Sequence, residues 1–165
     1  MNPKYKLGLR AVKTAISVFL CLLISLLFHR SELLLGSIAA IICIQPTYDE
    51  TFLTGIRRLV GTLIGGIIGY LILLLIHNLP FKSFSNLLIA PISILIVIYI
   101  CNLINYPESV VISCIVVLSV IMWPTENVTD TLMYVVNRVV DTSIGVIIAM
   151  LVNKFTFQKR STNFK

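Results

Sequence analysis

Charged residues are scarce in this sequence. Only 12% of the residues are Asp, Glu, Lys or Arg, against about 25% in a soluble globular domain. Long stretches carry no charged side chain at all, namely residues 14–29, 33–48, 59–81, 83–107 and 109–125. A surface helix of a soluble protein needs a polar face at every turn, so these stretches have no side suited to water. The composition therefore excludes a soluble domain.

The residues that form catalytic and metal sites are also few. The sequence has two histidines and four cysteines, and the cysteines (Cys21, Cys43, Cys101 and Cys114) all lie in apolar stretches without paired spacing. Neither a phosphate-binding loop nor a nucleophile elbow is present. We therefore predict that the protein is not an enzyme and needs no metal or cofactor.

Apolar length is what the sequence has in abundance, with 58% hydrophobic residues. A helix crosses roughly 30 Å of hydrocarbon with about 20 residues. The uncharged stretches, with a sixth segment from about 131 to 153, predict an all-α polytopic transmembrane helical bundle of about six spans, forming a single transmembrane domain over residues 1–165. The second stretch is short for a full span at about 1.5 Å per residue, and either a short span or a re-entrant helix fits it.

The first apolar run follows a basic segment, as it would in a secretory signal peptide. No small-residue cleavage site comes after it, because the run ends Leu27, Phe28, His29, Arg30 and further apolar stretches follow. We therefore interpret it as a retained span.

The positions of lysine and arginine predict the orientation in the membrane. With six spans and both termini in the cytoplasm, ten of these residues lie inside: Lys4, Lys6, Arg10, Lys13, Arg57, Arg58, Lys154, Lys159, Arg160 and Lys165. Only three lie outside, namely Arg30, Lys82 and Arg138. This asymmetry follows the positive-inside rule and predicts a multi-pass protein of the plasma membrane. The net charge of +6 is then explained by topology and by attraction to anionic lipid in the bilayer, and nucleic-acid binding is not needed to account for it.

Reporter fusions test this orientation. A reporter fused after Arg10 or at Lys165 should give a cytoplasmic signal, and one fused near Lys82 should give an external signal, because positive charge is retained on the cytoplasmic side. A cytoplasmic signal at Lys82 would contradict the six-span topology.

The sequence contains an internal repeat. Residues 58–68 read RLVGTLIGGII and residues 138–148 read RVVDTSIGVII, with seven of eleven positions identical. Three of the shared positions are not simply apolar: Arg58 and Arg138, Thr62 and Thr142, Gly65 and Gly145. A loop motif precedes both copies, with Gln45, Pro46 and Thr47 before the first and Pro124 and Thr125 before the second. We therefore divide the chain into two repeats, at about 1–80 and 81–160.

Three spans in each repeat have a geometric consequence. An odd number of spans forces the second repeat to insert upside down relative to the first, which gives two inverted three-helix repeats. Inverted repeats are typical of secondary transporters, in which the substrate site lies near the axis between the halves. The alternative interpretation is that duplication only built a stable bundle.

The repeated motif places small residues on one face of a helix. Gly61 and Gly65 form a GxxxG pair, and Gly69 follows one turn later. Gly145 is the counterpart of Gly65 in the second repeat. Small residues at this spacing let helix backbones approach closely in a membrane, so we predict that these four glycines are helix-packing residues.

Ionisable and hydroxyl residues on the same motif are candidates for substrate binding or coupling: Arg58, Thr62, Arg138, Asp141 and Thr142. Intramembrane charges are functional candidates, and an arginine can attract an organic anion. The alternative for both arginines is an anchoring role at the membrane interface. Asp141 replaces Gly61 of the first repeat, and it fits either a protonation site or an ion-pair partner of Arg138 three residues earlier.

Four segments resemble the aromatic acid exporter family, the fusaric-acid-resistance-like bacterial membrane proteins. They are GLRAVKTAISVFL (8–20), IQPT (44–47), RRLVGTLIGGIIG (57–69) and NRVVDTSIGVIIAMLVN (137–153). The resemblance implies an inner-membrane protein that exports aromatic or other small organic acids. It concerns the membrane domain only, because longer relatives continue into a cytoplasmic domain.

Two functions from different classes follow. The first is a secondary exporter of small organic anions. The second is a non-transporting membrane scaffold or an accessory subunit for a separately encoded cytoplasmic domain. Because six spans of this size leave little interior volume for a ring-sized solute, we also expect a homodimer, the commonest closed assembly of identical chains.

Overall fold

The computed structural model describes residues 8–27, 34–76, 82–122 and 128–161, and these residues are helical apart from short turns. Six α-helices are present in this part of the chain: α1 (Leu9–Leu27), α2 (Leu34–Cys43), α3 (Tyr48–Ile76), α4 (Lys82–Leu103), α5 (Val110–Met122) and α6 (Val128–Ser161). A 3-10 turn, Pro107–Ser109, precedes α5. The predicted all-α fold is confirmed.

Three of these helices are long and apolar enough to cross a membrane. The segments are Arg10–Leu27 in α1, Tyr48–Leu75 in α3 and Asp130–Phe155 in α6. Two further segments, Leu88–Leu103 and Pro107–Met122, are apolar but shorter. Helix α2 has 10 residues and therefore extends only about 15 Å, so it is short for a crossing, as its sequence indicated. Six complete spans and the inversion of the repeats stay predictions.

The lengths of the helices follow the repeat. Helices α1, α2 and α3 have 19, 10 and 29 residues, and α4, α5 and α6 have 22, 13 and 34. Each half thus has a short helix between two longer ones. Arg58 and Arg138 both lie ten residues after the first residue of their helix, since 58 − 48 and 138 − 128 are equal.

The break between α2 and α3 is encoded locally. Pro46 has no backbone N–H and disfavours a helical conformation at Gln45, so α2 ends at Cys43. Thr47 and Glu50 then form a capping box: the Thr47 hydroxyl accepts from the Glu50 backbone N–H at 3.3 Å, and the Glu50 carboxylate accepts from the Thr47 N–H at 3.4 Å. The loop motif is therefore also the start signal of α3.

A left-handed residue, Asn105, follows the last turn of α4. Asn105 has φ 59°, a conformation that asparagine tolerates better than most residues. The Tyr106 N–H donates to the Cys101 carbonyl at 3.0 Å and the Asn105 N–H to that of Asn102 at 3.1 Å, which is the Schellman pattern. Pro107 follows and opens the 3-10 turn.

The chain forms two compact units, and each draws on both repeats. Unit 1 comprises Met1–Ile56 with Asp141–Lys165, and unit 2 comprises Arg57–Val140. Unit 1 therefore contains α1, α2, the start of α3 and the last part of α6. Unit 2 contains the rest of α3, α4, α5 and the start of α6. The core of unit 2 includes Ile68, Val97, Cys101, Val117 and Ile121.

Candidate functional site

Asn153 binds the loop that joins α2 to α3. Its amide nitrogen Nδ2 lies 3.2 Å from the Gln45 carbonyl oxygen, 3.0 Å from that of Thr47 and 2.7 Å from the Thr51 hydroxyl. The Thr51 hydroxyl itself donates to the Thr47 carbonyl at 3.0 Å and accepts from the Gln45 N–H at 3.1 Å. Asn153 and Thr51 are both 0% exposed. Backbone groups that the loop leaves outside any helix are thereby satisfied by these two buried side chains.

Lys13 completes this arrangement from α1. Its ammonium nitrogen Nζ donates to the Asn153 side-chain oxygen at 2.7 Å. The group of Lys13, Gln45, Thr47, Thr51 and Asn153, which we call the anchoring cluster, thus joins the starts of α1 and α3 to the last part of α6. The sequence analysis identified Gln45 and Thr47 but missed Asn153 and Lys13 as their partners. The signal that it passed over was an amide in an otherwise apolar segment, residues 144–153.

The glycines of the first repeat lie against α5 in unit 2. A Cβ atom at Gly65 would lie 2.5 Å from the Ser113 carbonyl oxygen and 3.0 Å from the Ser113 Cα. A Cβ at Gly61 would lie 2.9 Å from the Ser109 carbonyl oxygen, and one at Gly69 would lie 3.0 Å from the Val120 Cβ. The Ser113 hydroxyl also donates to the Gly61 carbonyl at 2.9 Å. The two helices therefore approach at a distance that only glycine permits.

Gly145 makes the matching approach to α2 in unit 1. A Cβ there would meet the Gly36 carbonyl oxygen and would lie 2.9 Å from the Ala39 Cβ. Gly65 approaches Ser113 and Val116 of α5, as Gly145 approaches Gly36 and Ala39 of α2. The two contact sites correspond to each other, because 113 − 36 and 116 − 39 both equal 77. The third helix of each repeat thus packs on the short helix of the other.

The candidate residues in unit 2 are Arg58, Thr62 and Arg138. Thr62 is 2% exposed, and its hydroxyl donates to the Arg58 carbonyl at 2.9 Å. The hydroxyl proton is therefore already hydrogen-bonded within α3. Both arginines are half-buried. The guanidinium of Arg138 lies over the Tyr134 ring, 4.4 Å from its centroid, a cation–π contact that stabilises a cation away from water.

The candidate residues in unit 1 are Asp141 and Thr142. They are 2% and 5% exposed, respectively, and lie in the segment of α6 that is long and apolar enough to cross a membrane. A carboxyl group at such a place is costly unless it is paired or protonated. An ion pair with Arg138 stays a prediction. Pro124 and Thr125 of the loop motif lie outside the described residues.

A second polar contact holds the turn between α4 and α5 to α3. Glu108 forms a salt bridge with Arg57, and the Ser109 hydroxyl donates to the Arg57 carbonyl at 2.8 Å. The ion pair is partly exposed, so the pair adds little to stability. Arg57 therefore has an identified structural role, because it joins α3 to the turn that precedes α5.

No group of three His, Cys, Asp or Glu side chains could hold a metal ion in the part of the chain that the structure describes. The cysteines are free thiols. The polar groups described above are amides, hydroxyls and single charges.

Comparison with known proteins assigns the chain to a family. The family model described as "Aromatic acid exporter family member 1" matches residues 5–156. The chain belongs to the aromatic acid exporter family. The match includes the anchoring cluster, both arginines, Asp141 and the packing glycines, and the predicted resemblance is confirmed. With the apolar helices described above, it makes this a membrane protein.

One relative of this aromatic acid exporter family chain is a protein of Bacillus subtilis (strain 168) named "Uncharacterized protein YqjA". The two are 29% identical over 152 residues, which cover 92% of this chain and 44% of the relative. The chain therefore spans less than half the length of that relative. No solved structure matches the chain.

Proposed function

We propose that this chain is the transmembrane part of a secondary exporter of aromatic or other small organic acids, in the plasma membrane with both termini cytoplasmic. The observation that carries the proposal is Asp141, a carboxyl group 2% exposed in a segment long and apolar enough to cross a membrane, in an exporter-family protein. Maintaining an ionisable group at such a place is expensive, and proteins keep it there mainly for transport and coupling.

Arg58 and Arg138 supply the second part of the argument. A carboxylate substrate carries a negative charge, and an arginine that is half-buried attracts such a charge more strongly than one in water. Because each arginine lies ten residues after the first residue of its helix, α3 or α6, we propose that they act on the anion at equivalent positions of the two repeats. Asp141 is the group that would carry a proton in exchange.

Flux measurements in proteoliposomes test the proposal. A panel of aromatic carboxylates should be transported by the wild-type protein, faster with an imposed pH gradient than without it. Arg58→Gln and Arg138→Gln should reduce the flux at least about tenfold, because each removes a charge–charge attraction of about 1.4 kcal/mol or more in a medium of reduced dielectric. Purity, yield and thermal stability should stay near those of the wild type.

Arg57→Gln is the matched control. It removes the arginine next to Arg58, which forms a salt bridge with Glu108 and lies outside the repeated positions. We expect its flux to stay within about twofold of the wild type, since a partly exposed ion pair contributes little. Normal flux in Arg58→Gln and Arg138→Gln would show that both arginines are interface anchors.

The second candidate function is a membrane scaffold or accessory subunit. The observation that bears on it is that the match covers 44% of the length of the Bacillus subtilis relative, so the activity of a whole protein of this family is not assigned to the matched region alone. With this second function, the wild-type protein alone would transport none of the panel. The homodimer predicted from the small size of the bundle is compatible with both functions.

A further inference from the structure

The two terminal segments of the chain are strongly basic. Residues 1–13 contain four Lys and Arg side chains, and residues 154–165 contain four more. Together they hold eight of the 13 basic residues and none of the seven acidic ones. These segments are at opposite ends of the sequence, so their charges add up at one place only if the fold brings them together.

Unit 1 brings the two segments together. The Lys13 ammonium donates to the Asn153 side-chain oxygen at 2.7 Å, which joins the first turns of α1 to the last part of α6. Arg10 lies one turn before Lys13, and Lys154 directly follows Asn153. The side chains of Arg10 and Lys154 are both exposed. Two exposed cations from different helices therefore lie at the same end of unit 1, which we call the basic end.

Acidic side chains from a third helix also lie at this end. Asp49 and Glu50 are in the first turn of α3, which is held here because the Thr51 hydroxyl lies 2.7 Å from the Asn153 amide nitrogen. They offset at most two of the eight positive charges of the terminal segments. The basic end therefore keeps an excess of positive charge.

The position of the two cations along their helices corresponds to the headgroup level of a membrane. Arg10 is the first residue of the apolar segment Arg10–Leu27, and Lys154 is the last but one of Asp130–Phe155. The ends of a membrane-spanning segment lie where the hydrocarbon gives way to the lipid headgroups, and basic side chains are favoured there. Both cations are thus placed to meet a phosphate of the bilayer.

Exposed apolar side chains adjoin the cations. On α6, Leu151 is 49% exposed one turn before Lys154, and Phe155 next to it is 70% exposed; on α1, Val12 is 48% exposed. A phospholipid can use both kinds of side chain, because its phosphate attracts the cations and its acyl chains cover the apolar groups. A soluble anion would use only the charges. This combination therefore favours a lipid as the occupant.

We propose that the basic end of unit 1 binds an anionic phospholipid, with Arg10 and Lys154 at its headgroup phosphate and its acyl chains against the exposed apolar side chains of α1 and α6. Lys13 is a positioning residue, since its bond to Asn153 holds the two helices together. With both termini in the cytoplasm, the lipid belongs to the inner leaflet. This inference goes beyond the exporter function and does not require transport.

The lipid preference of the purified full-length chain in detergent micelles tests the site. The probes are spin-labelled phosphatidylglycerol and spin-labelled phosphatidylcholine, and electron paramagnetic resonance gives the ratio of their association constants. We expect the wild type to prefer phosphatidylglycerol at least about tenfold at low salt, since each basic residue near an anionic headgroup strengthens binding roughly fivefold. Arg10→Gln and Lys154→Gln should each lower the ratio about three- to fivefold, and the double variant should show almost no preference.

Arg57→Gln is the matched control. It lowers the net charge of the chain by the same amount, but in unit 2 and at a side chain that forms a salt bridge with Glu108. Its lipid preference should stay close to that of the wild type. Arg10→Lys and Lys154→Arg keep the charge and should also keep the preference. Because the substituted side chains at the basic end are exposed, thermal unfolding in phosphatidylcholine alone should be the same for these variants and the wild type.

Three results would overturn the site. The first is equal association of the two lipids with the wild type. The second is a double variant that prefers phosphatidylglycerol as strongly as Arg57→Gln does, which would show that these cations serve only the orientation of the chain or another acidic partner. The third is displacement of the labelled phosphatidylglycerol by an equal concentration of soluble glycerol 3-phosphate, which would show that the acyl chains contribute nothing. None of these results bears on the flux of aromatic carboxylates, so the exporter function stands or fails separately.

Discussion

Replacing Gly65 with leucine should abolish assembly of the folded protein. Even a Cβ at this position would lie 2.5 Å from the Ser113 carbonyl oxygen, and a backbone atom cannot move aside as the end of a flexible side chain can. Overpacking a core typically costs about 1–3 kcal/mol, and a leucine against backbone on α5 should exceed that range. We expect loss of the monodisperse peak in size-exclusion chromatography and a strongly reduced yield from the membrane.

Two variants make this test specific. Gly65→Ala adds only the Cβ, so it should still fold but unfold several degrees earlier than the wild type. Gly8→Leu adds the same bulk where nothing lies within 4 Å of a Cβ, and it should behave as the wild type does. A monodisperse, stable Gly65→Leu protein would show that α3 and α5 do not pack as the structure has them.

Replacing Asn153 with alanine should have the second-largest effect. The change removes the side chain that bonds two loop carbonyls, the Thr51 hydroxyl and Lys13. The Thr51 hydroxyl is fully buried and loses a partner, as do the less buried groups around it, and the expected cost is about 2–4 kcal/mol, with interhelical hydrogen bonds in membranes at the low end. The thermal unfolding midpoint should fall, and proteolytic cleavage in the loop of residues 44–47 should become faster.

Asn102→Ala provides the comparison for Asn153. Asn102 is an exposed residue near the end of α4, and the same substitution there should change the midpoint by little more than the error of measurement. Equal midpoints for Asn153→Ala and Asn102→Ala would mean that the anchoring cluster contributes nothing to stability.

The helices could be predicted well from the sequence because a membrane imposes one simple requirement. An uncharged stretch can satisfy its backbone only as a helix, so the absence of charge predicts the secondary structure directly. The capping box at Thr47 and the prolines near the loops then fix where helices begin and end. Helix α2 was expected to be short for the same reason, since its apolar stretch is short.

The partners of the polar residues could not be predicted in the same way. Asn153 bonds residues more than 100 positions away in sequence, and no local pattern carries that information. Comparison of the repeats did not help, because the position equivalent to Asn153 is Leu73 in the first repeat.

The exchange of third helices between the repeats has a consequence for synthesis. Unit 1 is complete only when Asp141–Lys165 has joined Met1–Ile56. At about 5–20 residues per second, the ribosome takes roughly 4 to 17 s to make the 84 residues between these segments (140 − 56). During that interval α1 and α2 are made but have no α6 to contact, and the Gln45 and Thr47 carbonyls have no Asn153. The newborn chain therefore passes through a stage in which lipid, a chaperone or the insertion machinery must cover this surface, and quality-control proteases have their best opportunity then.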